Sequence, residues 1–272
     1  MLPLLLPLPL TLLGGSMCRM EPVSPTRGLL RAELLIVLGL SLGRSAVYSL
    51  IALVQALATG PLAGQSTSLN TSQARDPWLD LLYQLLSIGF TLVPAALAVL
   101  LLALTAGSVA QALGDLGLDL RRPGRDLWQG VAVTAAIGVP GLAFYLVGRA
   151  LGITVEVIPA ALDAHWWTIP VLLLQALKNG IIEEVVVVGY LVQRLERLGW
   201  SGRRIVVVSA VIRGAYHTYQ GLGPGLANLV MGLVFAQWFR RTRRTAPLIV
   251  AHTLIDAFAF VGYGLVKDVL PL

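Results

Sequence analysis

The sequence predicts an all-α, polytopic transmembrane helical bundle of about seven spans, with the N-terminus in the cytoplasm. Hydrophobic residues make up 56% of the 272 residues and charged residues only 12%, whereas soluble domains carry about 25% charged residues. Most of the apolar runs are long enough for the ~20 residues that cross a ~30 Å hydrocarbon core. Arginine-rich and arginine-poor connections alternate along the chain, as they do in membrane bundles. We therefore expect an integral membrane protein.

The predicted spans follow one another through short connections. The fifth and sixth runs are short, so we expect them to thin the bilayer locally or to lie partly inside the bundle. The connection 61–78 is rich in Gly, Ser and Thr, which predicts an exposed loop. The seven apolar runs cover residues 34–60, 79–106, 127–150, 167–192, 205–219, 224–239 and 246–266.

Basic residues precede the first run and follow the second, fourth and sixth runs, whereas the other connections contain few of them. Because cytoplasmic loops are enriched in Lys and Arg, this pattern places the N-terminus inside the cell. The same arginines predict contact with membrane lipids. Nucleic-acid binding is not expected, since it needs basic residues gathered on one face of a domain. The clusters are Arg19, Arg27 and Arg31; Arg121, Arg122 and Arg125; Arg194, Arg197, Arg203 and Arg204; and Arg240, Arg241, Arg243 and Arg244.

Residues 1–33 are predicted to be a leader or a mis-assigned start, followed by a cytoplasmic tail. The first stretch is apolar and rich in proline, is too short for a span, and lacks the basic region of a secretory signal. A lipid anchor at Cys18 is disfavoured, because Met17 stands where a small residue is expected. Residues 34–272 are predicted to form one membrane-embedded domain.

Ionisable side chains interrupt three of the predicted spans. Such groups cost about 3 kcal/mol in hydrocarbon and usually face a bundle interior where they have a function. Residues four apart share one face of a helix, so the last two pairs can each act together. The pairs are Glu183 with Glu184, Arg213 with His217, and His252 with Asp256.

Adjacent helical residues point about 100° apart, so only one of the two glutamates can aim squarely at a shared centre. The other needs a partner, and either Lys178 or Arg213 can supply the positive charge. Each pair taken alone also has a structural interpretation: a buried ion pair between helices, an interfacial histidine, or a self-satisfied core pair. Three such spans in one chain favour a functional cluster.

These residues resemble the CAAX protease and bacteriocin-processing family of intramembrane proteases, which includes type II prenyl endopeptidases. Glu183 and Glu184 match the two adjacent glutamates of the first motif, whereas the arginine position of that motif is occupied by Val188. The second motif matches at His217, with Arg213 as a substitute cation nearby. The third matches at His252 and Asp256, and places the catalytic core in 167–266.

The resemblance implies an intramembrane endopeptidase. Glu183 would deprotonate water, His217 would assist it, and His252 with Asp256 would stabilise the oxyanion, with Glu184 and Arg213 in support. An ionised carboxylate cannot donate a hydrogen bond, so we expect Asp256 to orient His252. The expected substrate is a membrane-associated or prenylated-type protein or peptide, and the expected location is a bacterial plasma membrane.

Alternative functions use the same residues. Glu183, His217 and His252 form a two-histidine, one-glutamate set that would suit catalytic zinc. No HExxH helix is present, so metal-free catalysis without a cofactor is favoured and zinc is the alternative. Outside enzymes, a proton or ion transporter and a non-catalytic, bacteriocin-immunity-like scaffold remain open.

Overall fold

The computed structural model describes residues 24–262. The predicted leader, Cys18 and the last residues of the predicted core, 263–266, lie outside this range. Within it the chain is mostly helical, with one very small sheet. The α-helices are α1 (Arg27–Gly39), α2 (Leu42–Thr59), α3 (Pro77–Ala106), α4 (Val109–Asp115), α5 (Pro123–Ala150), α6 (Thr168–Glu183), α7 (Leu191–Arg197), α8 (Gly202–Tyr216), α9 (Leu222–Thr242) and α10 (Ala246–Ala257).

Four helices, α2, α3, α5 and α9, are long and apolar enough to cross a membrane. The other three predicted runs, 167–192, 205–219 and the described part of 246–266 up to residue 262, are helical as well, but they are shorter or carry the ionisable residues. The structure and these apolar helices support an integral membrane protein. The count of seven spans and the cytoplasmic N-terminus stay predictions.

The first predicted span consists of two helices, α1 and α2. The break lies at Ser41, whose backbone leaves the helical region at φ −136° and ψ −125°. Its hydroxyl donates to the carbonyl of Val37 at 2.6 Å, which satisfies a carbonyl at the end of α1. Gly43 allows the turn to be tight, since a Cβ there would lie 2.8 Å from the Leu38 carbonyl oxygen. A continuous hydrophobic run predicts a segment within the bilayer, but it does not predict a helix break such as the one at Ser41.

Part of the connection predicted to be an exposed loop pairs with a distant segment. Strand β1 (Ser66–Ser68) runs parallel to β2 (Glu156–Ile158), the strand that follows α5. Below it, Leu62 is buried against Leu53 and Val155. The pairing joins the connections at the C-terminal ends of α2 and α5, so this loop is tied to the bundle.

Several arginines that mark the predicted topology are held in ion pairs between helices. Arg244 donates to Asp126 from Nε at 2.7 Å and to Asp119 from Nη1 at 3.1 Å. The hydrogen bond to Asp126 raises the pKa of Arg244 above its ordinary value, so this guanidinium stays charged. Arg194 is fully buried and donates from Nε to Glu33 of α1 at 2.9 Å. Arg244 therefore ties the α9–α10 connection to α5 and to the α4–α5 connection, and Arg194 joins α7 to α1.

Candidate active site

Small residues bring together the helices that carry the candidate residues. A Cβ at Gly180 of α6 would lie 2.7 Å from the Thr253 hydroxyl and 3.0 Å from the Ile249 carbonyl, both on α10. On the other side, a Cβ at Gly214 of α8 would lie 2.9 Å from the carbonyl of Gly225 on α9. Small residues are the usual way for membrane helices to approach closely. Polar side chains at the centre can therefore touch across helices.

Gly180→Ala is expected to destabilise the protein by about 1–3 kcal/mol, the usual range for overpacking a tight contact. The added methyl group must move α6 away from α10, and cleavage activity falls with that displacement. Gly141→Ala in α5 is the matched control, because a Cβ there meets nothing within 4 Å. Gly141→Ala should leave the free energy of unfolding unchanged, or raise it by up to about 1 kcal/mol because alanine has the higher helix propensity. Thermal unfolding in detergent measures both, and equal values for the two variants would contradict the role of Gly180.

A π-helical segment, Glu184–Tyr190, follows directly on α6 and carries the second glutamate. π-Turns are rare and occur frequently at functional sites. The loosened carbonyl of Val187 accepts a hydrogen bond from the buried Ser209 hydroxyl of α8 at 2.8 Å. The segment is therefore fixed against α8 at the level of the cluster.

Glu184 is fully buried and is the central acceptor of the cluster. Its Oε1 atom accepts from Arg213 Nη2 at 2.5 Å and from His252 Nδ1 at 2.7 Å. Of the two candidate cations, Arg213 is thus the partner of Glu184, while Lys178 donates to Gln175 Oε1 at 2.7 Å. With Nδ1–H bound to a carboxylate, neutral His252 presents the lone pair of Nε2 to the site.

Glu183 lies on the other side of the same imidazole. Its Oε2 atom is 3.8 Å from His252 Nε2 and 3.5 Å from Arg213 Nη1. It also accepts a hydrogen bond from the hydroxyl of Tyr216 at 2.7 Å. The residue is 7% exposed, whereas Glu184 is completely enclosed. Glu183 is therefore the glutamate that small molecules entering the cluster can reach.

His217 follows the C-terminus of α8, and its ring stacks obliquely on Tyr216 with the centroids 4.8 Å apart. Its Nδ1 atom is 3.2 Å from the backbone carbonyl of Arg213. Because a carbonyl only accepts, Nδ1 carries the hydrogen, and Nε2 of the neutral ring is left as a base. No hydrogen bond joins His217 directly to Glu183 among residues 24–262.

Asp256 lies at the edge of the cluster, with 19% of its side chain exposed. Its Oδ1 atom is 3.8 Å from His252 Nε2, which is longer than a hydrogen bond. Its Oδ2 atom accepts from the amide of Asn179 on α6 at 2.7 Å. The hydrogen bond that fixes the His252 ring therefore comes from Glu184, while Asp256 is held by Asn179.

The residues close enough to share a metal ion differ from the set that the sequence indicates. Among the described residues, ligand atoms of Glu183, Glu184 and His252 lie within 4.8 Å of one another, and His217 is not in this group. Glu184 Oε1 is already bound to a guanidinium and an imidazole. An added cation would also be repelled by Arg213, which lies 3.5 Å from Glu183. These donors suit an arginine-compensated carboxylate pair better than a dication.

Comparison with known protein families agrees with the motifs. Residues 165–258 match the type II CAAX prenyl endopeptidase Rce1-like family model. This match confirms the resemblance predicted from the motifs, and all six candidate residues lie within the matched segment. No curated protein sequence and no solved structure was found to match the chain. The segment that carries the candidate residues is therefore similar to type II CAAX prenyl endopeptidases.

Position 188, the arginine position of the family's first motif, supplies no cation to the cluster. Val188 is fully buried among apolar neighbours, and the cation that contacts Glu184 is Arg213 from α8. Tyr216 and Asn179 are the polar residues of the cluster that the sequence analysis did not include as site residues. Asn179 precedes Glu183 by four residues, so its position on the same helical face was the available signal.

Proposed function

We propose that the chain is an intramembrane endopeptidase that hydrolyses a peptide bond through a glutamate-activated water, without a metal. The observation that carries this proposal is the position of Glu183. Its carboxylate meets Tyr216, Arg213 and His252 at the junction of α6, α8 and α10. An enclosed carboxylate next to an imidazole is suited to take up and return a proton.

In the proposed reaction, Glu183 removes a proton from water while His217 assists through Nε2. The water oxygen bonds to the carbonyl carbon of the scissile peptide, and the carbonyl electron pair moves onto its oxygen. When the carbonyl re-forms, the carbon–nitrogen bond breaks, and the amine leaves with the proton that Glu183 held. His252, whose Nδ1 atom is bound to Glu184, donates to the developing negative charge when its Nε2 atom is protonated. Water is the only co-reactant.

The proposed substrate is a membrane-associated or prenylated-type protein or peptide, and the proposed location is a bacterial plasma membrane. Burial of the cluster among helices supports a substrate that reaches it from the lipid phase. The family match at 165–258 supports a prenylated chain as one such substrate. Both substrate types carry an apolar anchor next to a polar peptide.

A row of polar side chains raises transport as a second candidate function. Gln84 Nε2 donates to Asp80 Oδ1 at 3.2 Å, Gln175 donates to Gln84 at 3.1 Å, and Lys178 donates to Gln175 at 2.7 Å. The row leads from the first turn of α3 toward the cluster. Its two middle members are amides, which have no titratable proton to pass on. We therefore expect no proton conduction.

The test uses purified protein in proteoliposomes with two reporters, a farnesylated peptide and a peptide tethered by a transmembrane helix. Mass spectrometry identifies the cleaved bond, and a pH-sensitive dye inside the vesicles measures proton flux. Cleavage of either reporter without flux supports the protease. Flux without cleavage would favour the transporter, and neither activity would favour the scaffold.

A further inference from the structure

We propose that Asn179 is a further catalytic residue, whose side-chain amide donates a hydrogen bond to the oxyanion of the tetrahedral intermediate. This inference rests on the proposed function. It answers a chemical difficulty at position 256, where an ionised carboxylate accepts hydrogen bonds but cannot donate one. Oxyanion stabilisation needs donors aimed at the oxygen on which charge develops.

His252 alone does not resolve the difficulty. Its Nδ1–H is bound to Glu184 at 2.7 Å, so the neutral ring has no hydrogen on Nε2, the nitrogen that faces Glu183 and Asp256. Only the protonated ring donates from Nε2. A primary amide donates in every protonation state of its surroundings, which makes it a more constant donor than an imidazole.

Asn179 is placed to be that donor. Its Nδ2 atom is 2.7 Å from Asp256 Oδ2, and the other oxygen of that carboxylate is 3.8 Å from His252 Nε2. The amide and the imidazole thus flank the same small region. One amide hydrogen is bound to Asp256, and the second has no acceptor among residues 24–262.

The helix places the amide with little freedom. Asn179 lies four residues before Glu183 on α6, so base and donor project from one helical face. Its neighbour Gly180 brings α6 against α10, which allows the short bond to Asp256. The side chain is only half-buried, as is that of Asp256, so both are open to a substrate. In this arrangement Asp256 orients the amide, and the amide contacts the reacting oxygen.

The experiment measures kcat and KM on the cleaved reporter for Asn179→Leu and Asn179→Ala. Loss of one oxyanion donor lowers kcat by about 100- to 1000-fold. We expect a loss of this size with KM changed by less than about twofold, since the contact forms only in the transition state. Asn228→Leu is the matched control: Asn228 is a half-buried amide in α9 that donates within its own helix to Pro224 at 3.1 Å. It should change kcat by less than about twofold.

The same substitutions in a protein that already carries Asp256→Asn separate hydrogen-bond donation by Asn179 from its packing. In an Asp256→Asn protein an amide at 256 can itself donate, so the further loss on Asn179→Leu should fall below about tenfold. The assignment is overturned if Asn179→Leu and Asn179→Ala keep kcat within about threefold, if the loss appears in KM, or if it is equal in both backgrounds. Glu183→Gln is run beside them. Its full activity would overturn the proposed function, whereas an inactive Glu183→Gln with active Asn179 variants overturns only the role of Asn179.

Discussion

Glu183→Gln is expected to lower kcat for reporter cleavage by about 10²- to 10⁴-fold, the range that a positioned general base contributes. The substitution keeps the size of the side chain and an oxygen that can accept from Tyr216, but the amide cannot take a proton from water. The loss should lie in kcat, because Glu183 acts on water and not on the substrate anchor.

The control for this variant is Glu156→Gln in strand β2, which changes the charge of the chain equally. It should keep activity within about twofold. Membrane abundance should be the same for both variants, since removing the charge of Glu183 takes away one of two carboxylates facing Arg213 and leaves the shorter pair with Glu184 in place. Normal cleavage by Glu183→Gln at normal membrane abundance would contradict the proposed mechanism.

The sequence predicts which helices carry the ionisable side chains of the cluster, because costly side chains in apolar runs are visible without a structure. Spacing of four residues also places His217 with Arg213, and Asp256 with His252, on single helical faces. The structure brings five of these groups into one cluster with direct contacts. The choice of helices and the pairs that share a helical face follow from local helical geometry and the cost of burying charge.

Contacts between helices could not be predicted, because they depend on how each helix is rotated about its axis. Two cations were available to Glu184, and the contact with Arg213 in preference to Lys178 follows only from the packing of α8 against the π-helical segment. For the same reason Glu184, and not Asp256, holds the His252 ring. A π-turn changes the angle between successive side chains, so the ideal 100° rule no longer applies after Glu183.

The short sheet was missed for a different reason. Strands β1 and β2 contain three residues each and are separated by three helices in the chain. Such short segments have no alternation long enough to indicate a strand. A parallel pairing between such distant segments cannot be recognised from the local sequence. The Ser- and Thr-rich composition of 61–78 indicates a connection, but it does not indicate which segment the connection pairs with.

Arg213→Leu is expected to destabilise the protein by about 3–5 kcal/mol, the cost of leaving a buried charge without its partner. Arg213 is completely enclosed, binds Glu184 at 2.5 Å, and lies over the ring of Phe235 at 5.2 Å. Once it is removed, Glu184 is a buried anion with only His252 against it. Arg121→Leu is the contrasting control: this arginine is 80% exposed, and its solvent-facing pair with Asp119 should contribute little to stability.

A double variant separates the contribution of this ion pair to protein stability from its role in the site. In Arg213→Leu with Glu184→Gln, the fully enclosed charge at position 184 is removed together with its partner, and the amide oxygen can still accept from His252 Nδ1. We expect most of the lost stability to return, measured as thermal unfolding in detergent. Activity should recover only in part, because Glu183 still lacks the positive charge that lies 3.5 Å away in the native protein. Unchanged stability of Arg213→Leu, or no recovery in the double variant, would show that Glu184 does not depend on this arginine.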